Sequence, residues 1–282
     1  MNLEPTMYWM LFSAALVGVA LWEVASPWRT VSSQLVRRWR NHGALLLLYG
    51  IFLALVSRLS AILLALAVQH SRFGLLNLIP LSLAARVILG ILLLDLFRYL
   101  EHLAYHWVPV LWRVHQVHHS DADIDLSTGV RHHPFESLIS QLLAYAAIVL
   151  VAPPAAAVLA LQVIGVVHVF FSHANANFPP RLERLLRLVL ITPEMHRVHH
   201  SDEMSDQNAN LGDLFPWWDR LFGTYLDAPV AGLERVRIGL KGCDETEATG
   251  LLFMLAQPFR SAPEPSSPAS VPERIPAAVS GD

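Results

Sequence analysis

Two nearly identical histidine phrases occur in this sequence, HQVHHSD at His115–Asp121 and HRVHHSD at His196–Asp202. In an α-helix, residues three and four positions apart lie on one face, so each phrase is predicted to direct two or three imidazoles to a common point. Neutral imidazole binds Fe, Zn, Cu or Ni. A cysteine-based metal site is excluded because Cys243 is the only cysteine. The two phrases therefore predict an imidazole-ligated metal site.

Most of the other histidines lie between or just before these phrases. His102 and His106 have the helical spacing H-x-x-x-H, which places both rings on one helix face. Together with the two phrases they offer more imidazoles than one tetrahedral or octahedral ion can bind, so we predict two metal ions. Three further histidines are weighed as ligands: His173, His168 and His133. The remaining histidines are interpreted as interfacial or solvated polar side chains: His42, His70 and His132.

Three carboxylates near the histidines are predicted to orient ligand N–H groups from outside the coordination sphere. Asp121 and Asp202 each end a repeated phrase, and metal-bound imidazoles commonly donate their second N–H to a carboxylate. Capping of the following segment is the alternative role for both. Asp95 precedes His102 by two helical turns inside an apolar segment, where a carboxylate is costly and commonly functional. An ion pair with Arg98 is the alternative for Asp95.

The elements that position these residues are predicted to lie in a membrane. The 282-residue chain is 54% hydrophobic and 15% charged, whereas a typical soluble domain is about 25% charged. A bilayer span needs about 20 apolar residues. The first three apolar runs are predicted to span, and the last two, separated by Pro153 and Pro154, to form a short hairpin. The runs occupy residues 7–25, 43–68, 81–100, 137–152 and 155–172.

The basic residues predict the orientation of these spans. Four arginines follow the first run, and the positive-inside rule places their loop in the cytoplasm. Counting spans from this loop places Leu100 and every later histidine cluster on the cytoplasmic side. The N-terminal run is expected to be a retained anchor, because Glu4 precedes it and no basic region resembles a signal peptide. The four arginines are Arg29, Arg37, Arg38 and Arg40.

The sequence thus predicts an all-α integral membrane protein with about four to five transmembrane or re-entrant helices. A cytoplasmic helical cap is expected to hold a His-rich di-metal centre. No concentrated basic patch suits nucleic acid, so no nucleic-acid partner is expected. The tail is rich in Pro, Ser, Ala and Glu and is predicted to be disordered. The predicted parts are an N-terminal transmembrane region (1–80), a catalytic domain (81–226), a C-terminal extension (227–257) and the tail (258–282).

The order and spacing of the motifs resemble the membrane fatty acid hydroxylase / sterol desaturase superfamily, from about Leu92 to Tyr225. The matching segments are DLFRYLEHLAYH, LWRVHQVHHSD, RHHPFE, FSHANANFP, TPEMHRVHHSD and NLGDLFPWWDRLFGTY. The resemblance implies that Asn210, Trp218 and Asp219 pack near the site. It implies metal ligands at His102, His106, His115, His118, His119, His173, His196, His199 and His200.

The resemblance also implies a function. Members of this superfamily use a non-haem di-iron centre and O2 to hydroxylate or desaturate a lipid, such as a fatty acid or sterol, in lipid biosynthesis or modification. Ether-bond cleavage is a third outcome of the same oxidising chemistry, and zinc can replace iron during expression. The expected partners are the lipid substrate, the bilayer and a separate electron-transfer protein of the ferredoxin or cytochrome b5 type, because no segment resembles a fused haem domain.

Other functional classes make different demands on the sequence. A zinc or iron transporter would place its site near the bilayer midplane, whereas the repeated phrases lie beyond the ends of the predicted spans. A zinc hydrolase would be indicated by H-E-x-x-H, and here Leu103 occupies the glutamate position. A metal-binding protein without oxygenase activity is a further alternative. The scarcity of lysine relative to arginine, with Lys241 as the only lysine, favours a bacterial inner membrane.

Overall fold

The described part of the protein is helical throughout. The computed structural model describes residues 3–30, 34–56 and 59–260, with side chains from residue 9 onward. Within these ranges the chain forms α-helices, short 3₁₀ turns and two isolated β-bridges, Pro27 with Ala176 and Ser201 with Ile238, but no β-strand. The all-α prediction is confirmed for these residues.

Thirteen α-helices occur in the described ranges. In chain order they are α1 (Leu3–Ala25), α2 (Leu35–Val56), α3 (Ala61–Val68), α4 (Leu83–Trp107), α5 (Pro109–His119), α6 (Pro134–Val151), α7 (Ala155–His173), α8 (Pro180–Leu186), α9 (Pro193–His199), α10 (Met204–Gln207), α11 (Trp217–Phe222), α12 (Glu245–Ala248) and α13 (Leu251–Ala256).

Three of the described helices, α2, α6 and α7, are long and apolar enough to cross a membrane. The part of α1 whose side chains are described, Trp9–Ala25, is apolar but shorter. The predicted third span corresponds to α4, which is 25 residues long but carries the charged residues Arg86, Asp95 and Arg98 and is not among these three helices. Leucine and isoleucine side chains on α2 are widely exposed. Because water-soluble proteins rarely expose such a surface, it indicates contact with lipid.

The prediction of one continuous span over residues 43–68 is wrong. Helix α2 ends at Val56, and a separate helix, α3, begins at Ala61. Ser60 has an extended backbone (φ −89°, ψ 134°), and its hydroxyl accepts a hydrogen bond from the Leu63 amide at 3.5 Å, which starts a new helix. Helix α3 has eight residues, and a span needs about 20.

A shared apolar core joins the helices behind the histidines. Helices α6 and α7 are separated at Ala152–Pro154, where Ala152 has φ +52°, so the predicted proline break is confirmed. Both helices pack against α3 and α4. The core residues are Ala65, Leu94, Ala147, Ile148, Val158, Leu161 and Leu214.

The ends of five helices meet on one side of this core. The Glu23 carboxylate, near the end of α1, accepts hydrogen bonds from the amides of Leu126 and Asn175, both at 2.8 Å. At the start of α2, Arg38 binds Asp121 at 2.8 Å. Helices α4 and α7 end on this side, and α6 begins there. The histidine phrases therefore lie at the ends of helices rather than at their middles.

The C-terminal extension packs against the same side. Met254 of α13 contacts Leu45 of α2 and Val117 of α5 in a small apolar cluster. The first residues of the tail predicted to be disordered are ordered here. A 3₁₀ turn over Gln257–Phe259 follows α13, and Arg260 caps this turn. The rest of that prediction, residues 261–282, lies outside the described residues.

Candidate metal centre

Nine histidines, all but His102 buried, form two adjoining groups. Within each group, one ring nitrogen of every member lies within 4.8 Å of the others. The groups share a boundary at which the rings of His119 and His200 stack with centroids 4.6 Å apart. The first group is His102, His106, His115, His119 and His199, and the second is His118, His173, His196 and His200. The structure thus brings together the nine predicted ligands, and metal binding by them stays a prediction.

Each repeated phrase supplies both groups. In the first phrase, His115 and His119 belong to the first group, whereas His118 belongs to the second. The second phrase does the reverse, with His199 in the first group and its other two histidines in the second. Two imidazoles of each phrase thus share a group, as predicted, and the third lies in the other group, because the i+3 and i+4 positions differ by about 100° around a helix. Each phrase therefore connects the two groups, because it has histidines in both.

The Nε2 atoms converge at separations suited to metal coordination. In the second group, the His173 Nε2 lies 2.9 Å from the His196 Nε2 and 3.2 Å from the His118 Nε2. In the first group, the Nε2 atoms of His115 and His119 are 3.2 Å apart. At a metal–nitrogen distance of about 2.1 Å, ligands at right angles have nitrogens about 3.0 Å apart. The ring nitrogens therefore have the spacing of neighbouring ligands.

Hydrogen bonds from the opposite ring nitrogen orient four of the imidazoles. The Nδ1 atoms of His102, His173 and His199 donate to backbone carbonyl oxygens at 2.8, 2.7 and 3.0 Å. The His115 Nδ1 donates to the Glu136 Oε1 at 2.7 Å. A proton on Nδ1 leaves the lone pair on Nε2, the atom that faces the group. These contacts set the tautomer that metal binding requires.

The protonation state of the rings also suits metal ions. Burial, followed by the proximity of other imidazoles, lowers the pKa of His118, His119 and His200 well below the usual imidazole value. These rings are therefore neutral near pH 7, as a ligand must be. The Nε2 atoms of His102 and His199 are buried without a hydrogen-bond partner among the described residues, which is costly unless something binds them. Imidazole ligands suit iron and zinc, so the residues fit the implied metals.

Glu136 connects the two groups, a role that the sequence analysis missed. Its Oε1 accepts from the His115 Nδ1 at 2.7 Å and from the His132 Nδ1 at 3.0 Å. The His132 ring stacks on His118 of the second group at 4.8 Å and 10°, so the interpretation of His132 as simply solvated is wrong. The available signal was the motif RHHPFE, which places a carboxylate in the first turn of α6, four residues after His132.

His168 and His133, the additional candidates, lie outside both groups. The His168 Nε2 donates to the Ile191 carbonyl oxygen at 2.9 Å, so this ring uses the atom with which the neighbouring ligands would bind metal. The His133 Nδ1 accepts from the Phe135 amide at 3.1 Å and caps the start of α6. Both side chains therefore hold nearby backbone groups in place through hydrogen bonds.

Asp121 and Asp202 contact arginines rather than imidazole N–H groups of the two groups. Asp121 accepts two hydrogen bonds from Arg38, at 2.9 and 2.8 Å. Burial alone would raise the pKa of Asp121, but the surrounding cations, Arg38 first among them, lower it well below its usual range. Asp202 lies 3.6 Å from Arg237 at the end of the second phrase. These carboxylates fix the segments that follow the two phrases.

Buried polar contacts also hold the end of α5. Arg131 donates to the Val117 carbonyl oxygen and to the Ser120 hydroxyl, both at 2.7 Å. It also contacts the His42 Nε2 at 2.9 Å. His42 is fully buried and belongs to neither histidine group, so it is a satisfied polar side chain, as interpreted, but one that lies inside the protein. Guanidinium groups at helix C-terminal carbonyls stabilise helix ends, and here that end carries His118 and His119.

Asp95 binds residues just before α11 and in its first turn. Its carboxylate accepts from the Trp218 Nε1 at 2.8 Å and from the Leu214 amide at 3.1 Å. Arg98, the alternative partner, pairs with Asp213 at 3.7 Å. Asp95 therefore ties α4 to the region around α11, two turns from His102.

Asp219 supports the backbone that orients His102. Its carboxylate accepts from the amides of Leu211 and Gly212 at 2.7 and 2.9 Å, and the Leu211 carbonyl oxygen accepts from the His102 Nδ1. Burial raises the pKa of Asp219 to about 6, although these hydrogen bonds oppose the rise. The packing role implied for Asp219 thus has a direct connection to a candidate ligand.

The substitution D219N should loosen this support. An amide nitrogen in place of one carboxylate oxygen would face a backbone donor, and we expect a loss of about 2 kcal/mol of stability. Metal affinity should fall by about 10-fold, because partners that orient ligands have effects of this size. Thermal unfolding and elemental analysis of detergent-purified protein measure both. The control is D213N at a half-exposed carboxylate, and equal losses in both variants would contradict the assigned role.

Gly129 allows the loop before α6 to lie against His173. A Cβ atom at this position would be 2.9 Å from the Val169 carbonyl oxygen and 3.2 Å from the His173 Nδ1. These two atoms form the hydrogen bond that orients His173. Only glycine fits this close approach without displacing that ring.

The substitution G129A should therefore empty the second group selectively. We expect metal content to fall from about two ions per chain to about one, since displaced ligands lose affinity. Elemental analysis checks this result. The matched control is G165A in α7, where no atom lies within 4 Å of the added Cβ. Full metal content in G129A would show that His173 tolerates the added methyl group.

Comparison with known proteins shows which family and which proteins the chain is similar to. A sequence model of the fatty acid hydroxylase family matches residues 87–224. The chain is 29% identical over 177 residues to the ornithine lipid hydroxylase OlsE of Rhizobium tropici, which covers 63% of this chain and 51% of the relative. It is 32% identical over 133 residues to human alkylglycerol monooxygenase, covering 46% of this chain and 28% of the relative.

A third relative is also named as a hydroxylase. Mouse cholesterol 25-hydroxylase is 28% identical over 154 residues, covering 53% of this chain and 49% of that protein. The chain thus aligns with about half of the length of two of these relatives and with less than a third of the other. No solved structure matches the chain significantly. The family match contains all nine grouped histidines, so residues 87–224 match the fatty acid hydroxylase family and the predicted resemblance is confirmed.

Proposed function

We propose that this protein is a membrane-bound lipid oxygenase with two iron ions in the two histidine groups. The observation that carries the proposal is the convergence of imidazole Nε2 atoms in two adjoining groups. The relatives support it, because each is named as a hydroxylase or monooxygenase and the names refer to ornithine lipid, alkylglycerol and cholesterol. A lipid is therefore the substrate class, and hydroxylation is favoured over desaturation or ether cleavage as the first reaction to test.

The residues of the chain would perform distinct tasks in this function. The nine grouped histidines would hold the ions, with five in the first group and four in the second. When bound, iron supplies the O2-dependent oxidation of an unactivated C–H bond that side chains alone cannot perform. Glu136 keeps a proton on the His115 Nδ1 and so keeps its Nε2 lone pair directed inward. Burial keeps the other rings neutral and excludes water from the site.

We propose that the electrons come from a separate protein of the ferredoxin or cytochrome b5 type. The histidine groups would face the cytoplasm, and the membrane would be a bacterial inner membrane. Support for this orientation comes from the start of α2, where Arg37 and Arg40 lie on the same side as Arg38 and the histidine phrases. Basic residues next to a span favour the cytoplasmic side.

Isotope labelling of lipids tests the proposal. Cells that express the protein are grown under ¹⁸O2, and their lipids are compared by mass spectrometry with those of cells without it. We expect one lipid class to gain an ¹⁸O-labelled hydroxyl group. Vectorial uptake of zinc or iron into proteoliposomes, without labelled lipid, would instead favour a transporter. Tight metal binding with neither activity would favour a metal-binding protein.

A further inference from the structure

Helix α8 has an unusual distribution of polar and apolar side chains for a helix at a protein surface. Glu183 is 4% exposed, and it pairs at 3.1 Å with Arg187, the residue that caps α8. Leu185, in contrast, is 65% exposed. A helix that faces water buries its leucines and exposes its ion pairs. The outward apolar residues of α8 and the turn after it are Leu182, Leu185, Leu188 and Val189.

Helix α11 repeats this inverted arrangement. Its carboxylate, Asp219, is fully buried, whereas Leu221 is 67% exposed. Trp217 and Phe222 are also exposed on α11. Neither α8 nor α11 is long enough to cross a membrane, since α8 has seven residues and α11 has six. Their exposed apolar residues are therefore not explained by a transmembrane span.

The two helices form one continuous surface. The Trp217 Nε1 donates to the Leu188 carbonyl oxygen at 2.8 Å, and the Arg220 guanidinium donates to the Arg187 carbonyl oxygen at 2.7 Å. We name this surface the apolar platform. It consists of Leu182, Leu185, Leu188, Val189, Trp217, Leu221 and Phe222.

The apolar platform lies beside the long helices rather than beyond their ends. Phe222 stacks on Tyr99 of α4, with centroids 5.4 Å apart. Leu190 and Phe215 pack against the core that α3, α4, α6 and α7 share. The platform therefore adjoins α4 and the core that α4 shares with α6 and α7, two helices with the composition of membrane spans.

We propose that the apolar platform is immersed in the lipid leaflet on the histidine side, which makes α8 and α11 monotopic membrane helices. Short helices with exposed leucine and tryptophan among arginines lie in the membrane interface. Three exposed arginines lie among these residues, Arg181, Arg184 and Arg220, and they fit anionic headgroups. A second copy of the chain fits less well, because a two-fold interface would bring the same arginines together. This inference holds whether or not the protein is an oxygenase.

Spin labelling of the full-length protein in nanodiscs with anionic lipids tests this proposal. In a C243S background, one nitroxide label is attached to L185C, L221C or K241C. Lys241 is exposed and pairs with Glu203, next to the second histidine phrase, so it serves as the control in water. A wild-type gel-filtration profile and helical circular dichroism spectrum confirm that each labelled variant is folded.

Collision of the label with O2 reports lipid, and collision with a water-soluble nickel chelate reports water. We expect the labels at positions 185 and 221 to collide preferentially with O2, and the label at position 241 to collide preferentially with the chelate. Labels at 185 and 221 that behave like the label at 241 would overturn the proposal. Protection from both reagents, together with a doubled particle mass, would overturn it in favour of a dimer interface.

Discussion

Alanine at His118 or His199 should deplete the protein of metal and abolish lipid oxidation. Each of these residues is the i+3 member of its phrase and crosses to the group that the other phrase dominates. The substitution H118A leaves three imidazoles in the second group, and H199A leaves four in the first. We expect metal content to fall from about two ions per chain to about one or fewer, because lost ligands reduce affinity and a vacated site accepts water. Elemental analysis and ¹⁸O labelling of lipids measure the two effects.

Two further histidine variants control this experiment. The substitution H70A changes an exposed ring that contacts Gln69 and belongs to neither group, and should leave metal content unchanged. The substitution H168A changes a buried ring outside both groups and separates loss of a buried imidazole from loss of a ligand. Wild-type metal content and activity in both H118A and H199A would rule out the assigned site.

The identities of the grouped histidines could be predicted from sequence because helical spacing is local. His102 and His106, or His115 and His119, are one turn apart wherever the helix lies. The partition into two groups could not be predicted, because it depends on how α5 and α9 face each other across the site. A rotation of about 100° separates the i+3 ring from the i+4 ring, and the spacing alone does not say which neighbour each ring meets.

The partners of the ligands depend on contacts that are distant in sequence. Glu136 reaches His115 only because the start of α6 packs against α5. His102 and His199 are oriented by backbone carbonyl oxygens, which every residue has, so no side-chain signal marks them. Asp121 is a carboxylate that could orient an imidazole, but in the structure it pairs with Arg38 of α2 instead. Sequence patterns thus indicated the grouped histidines better than the residues that orient them.

The apolar composition did not predict every helix of the membrane region correctly, again because local caps and distant contacts decide where helices end and which way they face. The run over residues 43–68 has the hydropathy of one span, yet the Ser60 cap divides it. Helices α8 and α11 could not be recognised from composition because they are short and mix charged with apolar residues, as many surface helices do. The burial of Glu183 and Asp219, which only the structure shows, places the acidic side chains of both helices inward.

The substitution E136A should weaken metal binding without removing any ligand. The Glu136 Oε1 accepts from both His115 and His132, so alanine would leave two N–H groups without their carboxylate and would free the His115 ring to rotate. We expect metal affinity to fall by about 10- to 100-fold, the usual effect of losing a carboxylate partner of a metal-bound histidine. The rate of iron loss to a chelator, followed by absorbance, measures this change.

The variants E136Q and S137A separate orientation from charge in this experiment. Glutamine keeps an oxygen that can accept from His115 but carries no charge, so iron loss from E136Q should lie between wild type and E136A. Ser137 follows Glu136 in α6 and contacts the His133 carbonyl oxygen at 3.4 Å, so S137A should retain iron as wild type does. Equal loss from E136Q and E136A would assign the effect to the charge. Equal retention in all three variants would mean that the backbone carbonyl contacts of His102, His173 and His199 are sufficient to orient the site.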